Sequence, residues 1–496
     1  MALNDLLDLV RGCTFDDFLL TPQQGIVPTR DPARIDLSAR VSERITLRRP
    51  LLSANMDTVT RAAMAVALAE EGGLGVIDRG YRAGDIEPQV AEVAAVKRTQ
   101  HGTIADPHRI APDRTVRDAA RLMEQTRVGT LAVVGATGRF LGLLTERDTR
   151  FVDGDQRVDA RMTPLDRLVV ETGPMSLDAA EAVMAAKKVK KLPLVSAEGR
   201  LLGLVTAKDV IKHRQHPFAT RDEQGRLRVG AAIGATGDYL ERAAELVRAG
   251  ADLLVVDIAH GHSIVMARAL EALRTTLGDV EIVAGNVGTE DGVRFLLERG
   301  ANAIKVGIGP GGGCTTRITT SFGVPQAEAL ARCRQAAGDR VPLIADGGIR
   351  RDGAVALALL LGGDCVMLGS ALAGTEETPG EIVLKPVLLP DSQKIVQVPF
   401  KVFRGMASIA AVRDRLDLEE ADPRELEALG AEGREVSVPA RGSVRAVLRN
   451  MVRHLCSAIS YGGASSLGEF RDAFHADPRR FLIRLSPAAR LESYER

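Results

Sequence analysis

Short apolar runs alternate with amphipathic stretches along most of this chain, and the alternation predicts its elements. In RRPLLSANMDTVT (48–60), Leu51 and Leu52 end an apolar strand and Ser53 to Asp57 form the polar loop after it. AAMAVALAEEGGLGVI (62–77) then reads as a helix, a glycine stop and a second strand. Strand, loop, helix, strand is the signature of a parallel sheet built from βαβ units. The order returns after His216. ERAAELVRAGADLLVVDIAHGHS (241–263) gives helix, glycine turn, strand and loop. VEIVAGNVGTEDGVRFLLERGANAIKVGIG (280–309) and VPLIADGGIRRDGAVALALLLGGDCVMLGS (341–370) each give two more strands around a helix. The strand count approaches eight, which predicts an α/β protein with a (β/α)8 barrel and ligands at the C-terminal strand ends. An open doubly wound sheet is the alternative, but it places GxGxxG between its first strand and helix, and no unit here does so clearly.

Between these stretches the pattern changes. TVRDAARLMEQTRVGTLAVVGATGRFLGLLTERDT (115–149) and SLDAAEAVMAAKKVKKLPLVSAEGRLLGLVTAKDV (176–210) both run helix, strand, glycine turn, strand and T-x-x-D, 61 residues apart. A repeat at fixed spacing means duplicated units packed on one another. The chain therefore divides into residues 1–92, the first part of the barrel; 93–215, the repeat pair (about 99–153 and 158–215); and 216–496, the rest of the barrel. Within the last part, PVLLPDSQKIVQVPFKVFRGMAS (386–408) reads as a β-hairpin ending in a loop. RDRLDLEEADPRELEALGAEG (413–433) is charged and long for a connection, as lids are, and defines a flap at about 400–440. GSVRAVLRNMVRHLCSAISYGGASSLGEF (442–470) reads as helix, glycine break, helix.

Composition narrows the classes. A chain of 496 residues exceeds what one core fills. Lys+Arg and Asp+Glu both total 65, which gives no reason to expect nucleic acid or a membrane surface as partner. The five cysteines are scattered and odd in number, which argues for a reducing cytoplasm rather than a disulfide framework. No CxxC or HExxH suggests zinc. The N-terminus lacks the long apolar core of a signal peptide, and no run reaches the ~18–20 apolar residues of a membrane span. With aromatics at 3% and no Trp, aliphatic side chains must fill the core.

The candidate chemistry centres on Lys305 to Gln326, KVGIGPGGGCTTRITTSFGVPQ, with six glycines between Gly307 and Gly323. Glycines permit positive φ and close approach of backbone to ligand. Cys314 on such a loop is a nucleophile if accessible and activated; a buried cysteine beside a turn is the plainer reading. The run GIGPG-x-x-CTTR-x-x-T-x-x-GVPQ resembles the cysteine loop of the IMP dehydrogenase and GMP reductase family, and the resemblance extends over nearly the whole chain. The repeats resemble a tandem pair of CBS modules.

That resemblance implies a purine nucleotide oxidoreductase acting at C2 of the base. Cys314 matches the nucleophile and Thr316 the residue that positions water or ammonia. Asp346 would accept the ribose hydroxyls, while Gly348, Gly369 and Ser370 would hold the phosphate. Gly405, Met406 and Glu432 match positions at the purine edge. Asp257, Asn286, Gly307 and Gly309 match the cofactor side, with Asn286 also close to the reacting carbon. Carbonyls of Gly309, Gly311 and Cys314 match a potassium site that a neighbouring subunit completes from a Glu-Ser-His; here Glu492-Ser493-Tyr494 retains part of it. Asp148 and Asp209 match the aspartates that contact the ribose of an adenine or guanine nucleotide in CBS pairs, although a helix-start aspartate also serves as a cap. Homotetramers, joined in some members into octamers, are the family's assemblies.

Three departures matter. Gly312 stands where the family usually has serine, and Phe403 where it often has tyrosine. In the flap, Arg415 is followed by Leu416, whereas the dehydrogenase's water-activating pair is Arg-Tyr. The flap thus favours GMP reductase, which uses NADPH and a Thr–Glu pair, matched here by Thr316 and Glu432. The repeat pair, AGTEETPGE (373–381) and the tail SPAARLES favour oxidation of IMP to XMP with NAD+, which is the preferred reading. A nucleotide-sensing protein on a weakened barrel is the remaining alternative.

Overall fold

A computed structural model of the chain describes residues 2–99, 107–126, 128–388, 394–416 and 430–494. Eight parallel strands close into a barrel: β1 (Leu51–Ser53), β2 (Leu74–Ile77), β3 (Gly230–Ile233), β4 (Leu253–Asp257), β5 (Ile282–Val287), β6 (Ala303–Val306), β7 (Leu343–Asp346) and β8 (Cys365–Leu368). Pairing of Val76 with Gly230 joins β2 to β3, and pairing of Val366 with Leu51 joins β8 to β1. The (β/α)8 barrel expected from the apolar rhythm is what forms.

Each strand is buried on both faces, so its sequence reads as a continuous apolar run rather than an alternation. Inward side chains such as Leu74, Val76, Leu253, Val255, Val283 and Ile344 fill the barrel. Outward ones such as Leu254, Val256, Ile304 and Leu343 meet the surrounding helices. Helix Ala62–Glu70 packs so closely on β2 that a Cβ at Gly75 would stand 2.3 Å from the Ala65 Cα. Helix Ile264–Leu277 starts where the Ser263 hydroxyl accepts the Met266 N–H, and helix Glu290–Leu297 where Thr289 accepts the Gly292 N–H.

After β8 the chain builds a three-stranded antiparallel sheet from Val383–Leu388, Ile395–Arg404 and Glu435–Pro439. The first two strands form the hairpin; the third returns from beyond the middle of the flap. Helix Ile409–Leu416 carries Arg415; the middle of the flap lies outside the described residues.

Residues 99–217 and 221–226 form a second compact unit, separate from the barrel unit. Its two sheets have matching parts. Helix Val116–Thr126 and strands Thr130–Val134 and Phe140–Thr145 are repeated as helix Leu177–Lys187 and strands Lys191–Val195 and Leu201–Thr206. Ala132, Phe140, Leu143, Val195 and Leu204 pack the halves together, and Arg139 bridges Arg200. No described helix is long and apolar enough to cross a membrane.

Candidate active site

Side chains alternate along a strand, so the inward columns of the barrel can be followed to its mouth. Leu253 and Val255 lead to Asp257; Ala303 leads to Lys305; Ile344 leads to Asp346. The top layer of an otherwise aliphatic barrel is therefore charged. Lys305, 2% exposed, places its Nζ 2.5 Å from Asp346 Oδ2 and 3.2 Å from Asp257 Oδ2. Asn286 Nδ2 donates to the same oxygen of Asp346 (2.9 Å) and to the Gly307 carbonyl (2.8 Å). Asn55 Nδ2 donates to Asp257 Oδ2 at 2.5 Å. Burial alone would push the Asp257 carboxyl up, but Lys305 chiefly, with Arg79 and Asn55, holds it below the usual range. Burial likewise works against the Lys305 ammonium, and the two carboxylates outweigh it. A buried ion is tolerated only with such partners.

Beside this layer stands the cysteine loop. Of five free cysteines, Cys13, Cys333, Cys365 and Cys456 are buried and Cys314 is only partly so. Burial pushes the Cys456 thiol up to about 11 and that of Cys333 higher still, which makes both inert. The Cys314 thiol donates to Thr316 Oγ1 (3.2 Å), and that hydroxyl donates to Glu432 Oε2 (2.7 Å). Thiol, hydroxyl and carboxylate thus form a directed chain for moving a proton. Backbone pairing holds it: Thr315 N–H donates to the Glu432 carbonyl (2.8 Å), Arg434 N–H to Gly313 (2.9 Å) and Gly405 N–H to Arg434 (3.0 Å). The loop after β6 is therefore clipped to the Glu432–Arg434 end of the flap, which Gly405 in turn joins.

One cleft gathers Cys314, Thr316, Glu432, Asp257, Asn286, Gly307, Gly309, Gly311, Asp346, Gly348, Gly369, Ser370, Gly405 and Met406. Asn286 Oδ1 is buried there with no protein donor, so a ligand would satisfy it. A Cβ on Gly312 would rest at ordinary contact distance, 3.5 Å from the Ser370 side chain and 3.9 Å from Phe403. An adjoining cleft, lined by His260, His262, Gly288, Thr320 and Phe322, shares Thr316 and Glu432 with the first.

Arg415 is not among the lining residues of either cleft. Burial, and then the positive Arg79, lower its pKa, with Asp57 opposing. Asp57 instead takes Arg404 at 2.6 Å, which ties the sheet strand to the loop after β1. Of the groups named for potassium, the Gly311 carbonyl accepts the Cys314 N–H (3.0 Å) and keeps a second lone pair, and the Tyr494 hydroxyl donates to the Phe18 carbonyl (2.6 Å). In the second unit, Asp148 Oδ2 accepts Thr145 N–H and Oγ1 (both 2.7 Å), and Asp209 Oδ2 accepts Thr206 N–H (2.9 Å) and Oγ1 (2.5 Å). Both close capping boxes, and Asp209 is fully buried. Sequence reasoning missed Lys305, Asn55, His260, His262 and the Asp57–Arg404 pair. A lysine inside the apolar run AIKV was the one visible signal.

The chain matches the IMP dehydrogenase / GMP reductase domain over residues 12–495. It is 41% identical over 465 residues to inosine-5'-monophosphate dehydrogenase of Aquifex aeolicus, covering 93% of this chain and 91% of the relative. It is 40% identical over 496 residues to that of Mycobacterium leprae, covering 97% and 89%. Among solved structures, a Cys-to-Ala variant of GMP reductase from Trypanosoma brucei in complex with guanosine 5'-monophosphate superposes with a TM-score of 0.82 at 37% identity, covering 97% of each chain. The same enzyme in complex with guanosine 5'-triphosphate gives 0.73 at 34%, covering 97% of this chain and 100% of that one. This chain belongs to the IMP dehydrogenase / GMP reductase family.

Proposed function

We propose that the chain oxidises IMP to XMP, with NAD+ supplying the hydride acceptor. The Cys314–Thr316–Glu432 chain, set in a cleft with strand-end carboxylates, carries this reading, and the whole-length dehydrogenase relatives support it. The Cys314 sulfur bonds to C2 of the base while its proton passes toward Thr316 and Glu432. The hydrogen on C2 departs as hydride, leaving a thioimidate. Water then adds at C2, the C–S bond breaks, and XMP leaves with the thiol restored. Splitting oxidation from hydrolysis replaces one hard step by two easier ones. Asp346 accepts the ribose hydroxyls, and Gly348, Gly369 and Ser370 surround the phosphate. Gly405 and Met406 meet the base. Asp257 and the adjoining cleft take the cofactor. No step passes through a metal ion.

GMP reduction to IMP and ammonia with NADPH is the second reading. Leu416 after Arg415 favours it, since no tyrosine accompanies the arginine, and so does the likeness to the trypanosomal reductase. Initial rates decide between them: NADH formed from IMP supports the first, NADPH consumed with GMP the second. Cys314→Ala should cut either rate at least about 1,000-fold. A wild-type protein active in neither assay returns the barrel to a sensing role.

The repeats are read as a CBS pair taking an adenine or guanine nucleotide, and the GTP complex of a relative supports a guanine nucleotide. A homotetramer or octamer in the cytoplasm completes the proposal, in keeping with five unpaired thiols.

A further inference from the structure

We infer that Lys305 is a shared counter-ion that couples the two halves of the cleft, so that the charge on Asp257 sets how tightly the Asp346 side holds its nucleotide. This deepens the function proposed above and rests on it. The geometry is specific. One ammonium, 2% exposed, stands 2.5 Å from Asp346 and 3.2 Å from Asp257. Lys305, Asn286 and Asn55 all reach Oδ2 atoms, which turns one oxygen of each carboxylate inward. Both side chains remain 21% exposed, so each has surface left for a ligand's hydroxyl donor. Asp257 is faced by Asn55, Lys305 and Arg79; Asp346 by Asn286 and Lys305.

Arg79 adds positive charge on the Asp257 side, but Lys305 is the ammonium that both carboxylates share, and one shared ammonium cannot satisfy both fully. A ribose hydroxyl donating to Asp346 draws charge density from that carboxylate and loosens its hold on the ammonium, which then leans toward Asp257. Neutralising Asp257 does the opposite. The whole ammonium then turns to Asp346 and competes with the ligand's hydroxyls for it. Interactions of this kind are strengthened because the Lys305 ammonium they share is buried away from water. Coupling between two sites must also be reciprocal. Lys305 is thus a positioning residue that acts through the two aspartates.

The test is titration calorimetry of IMP, with GMP in parallel and no cofactor present, on wild type, Asp257→Asn, Lys305→Met and the double variant. Asp257→Asn should weaken nucleotide binding at least threefold, although the residue serves the cofactor side. In the Lys305→Met background the same change should shift affinity less than 1.5-fold. Unchanged nucleotide affinity in Asp257→Asn, or an equal shift in both backgrounds, overturns the coupling. Should Lys305→Met fail to fold by thermal melting, the converse binding measurement replaces it: Asp346→Asn should weaken NAD+ binding in calorimetry by a factor similar to that of Asp257→Asn on IMP, and a shift on one side only overturns it. A wild type that binds neither nucleotide sinks the function and the coupling together; one that binds while the variants match it sinks the coupling alone.

Discussion

Aspartates lie at strand ends or within three residues after them in both units of this protein, and their partners make them different. In the barrel, Asp257 and Asp346 are held through Oδ2 by an ammonium and two amides, and keep part of their surface open to the cleft. In the repeats, Asp148 and Asp209 spend Oδ2 on the N–H and hydroxyl of a threonine three residues back. The first arrangement presents a carboxylate to a ligand; the second closes a helix end. Asp78, directly after β2, is a third kind. It is fully buried, its Oδ2 lies 3.5 Å from Arg61, and burial pushes its carboxyl up to about 6. Position at a strand end therefore says little about role until the hydrogen-bond partner is known.

The comparison can be broken at several points. The largest effect is expected at the carboxylate that serves the cysteine. Glu432→Gln keeps the shape of the side chain but not its charge, and kcat should fall roughly 100- to 10,000-fold, as for loss of a general base. A kcat within threefold of wild type would remove Glu432 from the proton path.

Asp78→Asn comes next. The folded carboxyl binds a proton below about 6, whereas the unfolded one releases it near 3.8. The raised value means stability is greatest below the unfolded pKa and falls as pH rises through 6. The variant should therefore gain stability over wild type at pH 8, on the order of 2–3 kcal/mol, and little at pH 4. Denaturant unfolding at both pH values checks this; equal gains would show that ionisation is not involved.

Asp148→Ala removes a cap, and should cost the repeat unit about 1 kcal/mol in the same assay. A loss of regulatory nucleotide binding with no loss of stability would mean that the capping box is not what Asp148 supplies. The smallest effect is at Gly312. A serine there fits against Ser370 and Phe403 without positive φ, and its hydroxyl should lower the KM for IMP about three- to fivefold, the worth of one added hydrogen bond. A raised KM would show that the space is needed by the phosphate.

Local pattern made the barrel legible. Apolar runs buried on both faces, such as LLVVD and CVML, read as strands without knowledge of their neighbours, and the 61-residue repeat was visible by eye. The cysteine loop was legible because its glycines and its thiol lie in one stretch. What sequence could not show was contact across distance. The strand Glu435–Pro439 belongs to a sheet only because Ile395–Arg404 waits for it. Lys305 shows nothing of its two partners, 48 residues before it and 41 after. Arg415 carried weight as part of a pair, yet it lies at a helix end and is not among the residues that line the cleft.

The carboxylate next to Thr316 comes from 116 residues further along the chain. The thiol and the carboxylate reached through its hydroxyl neighbour are therefore brought together only by the finished fold, so an unfolded chain holds the same sulfur without that partner.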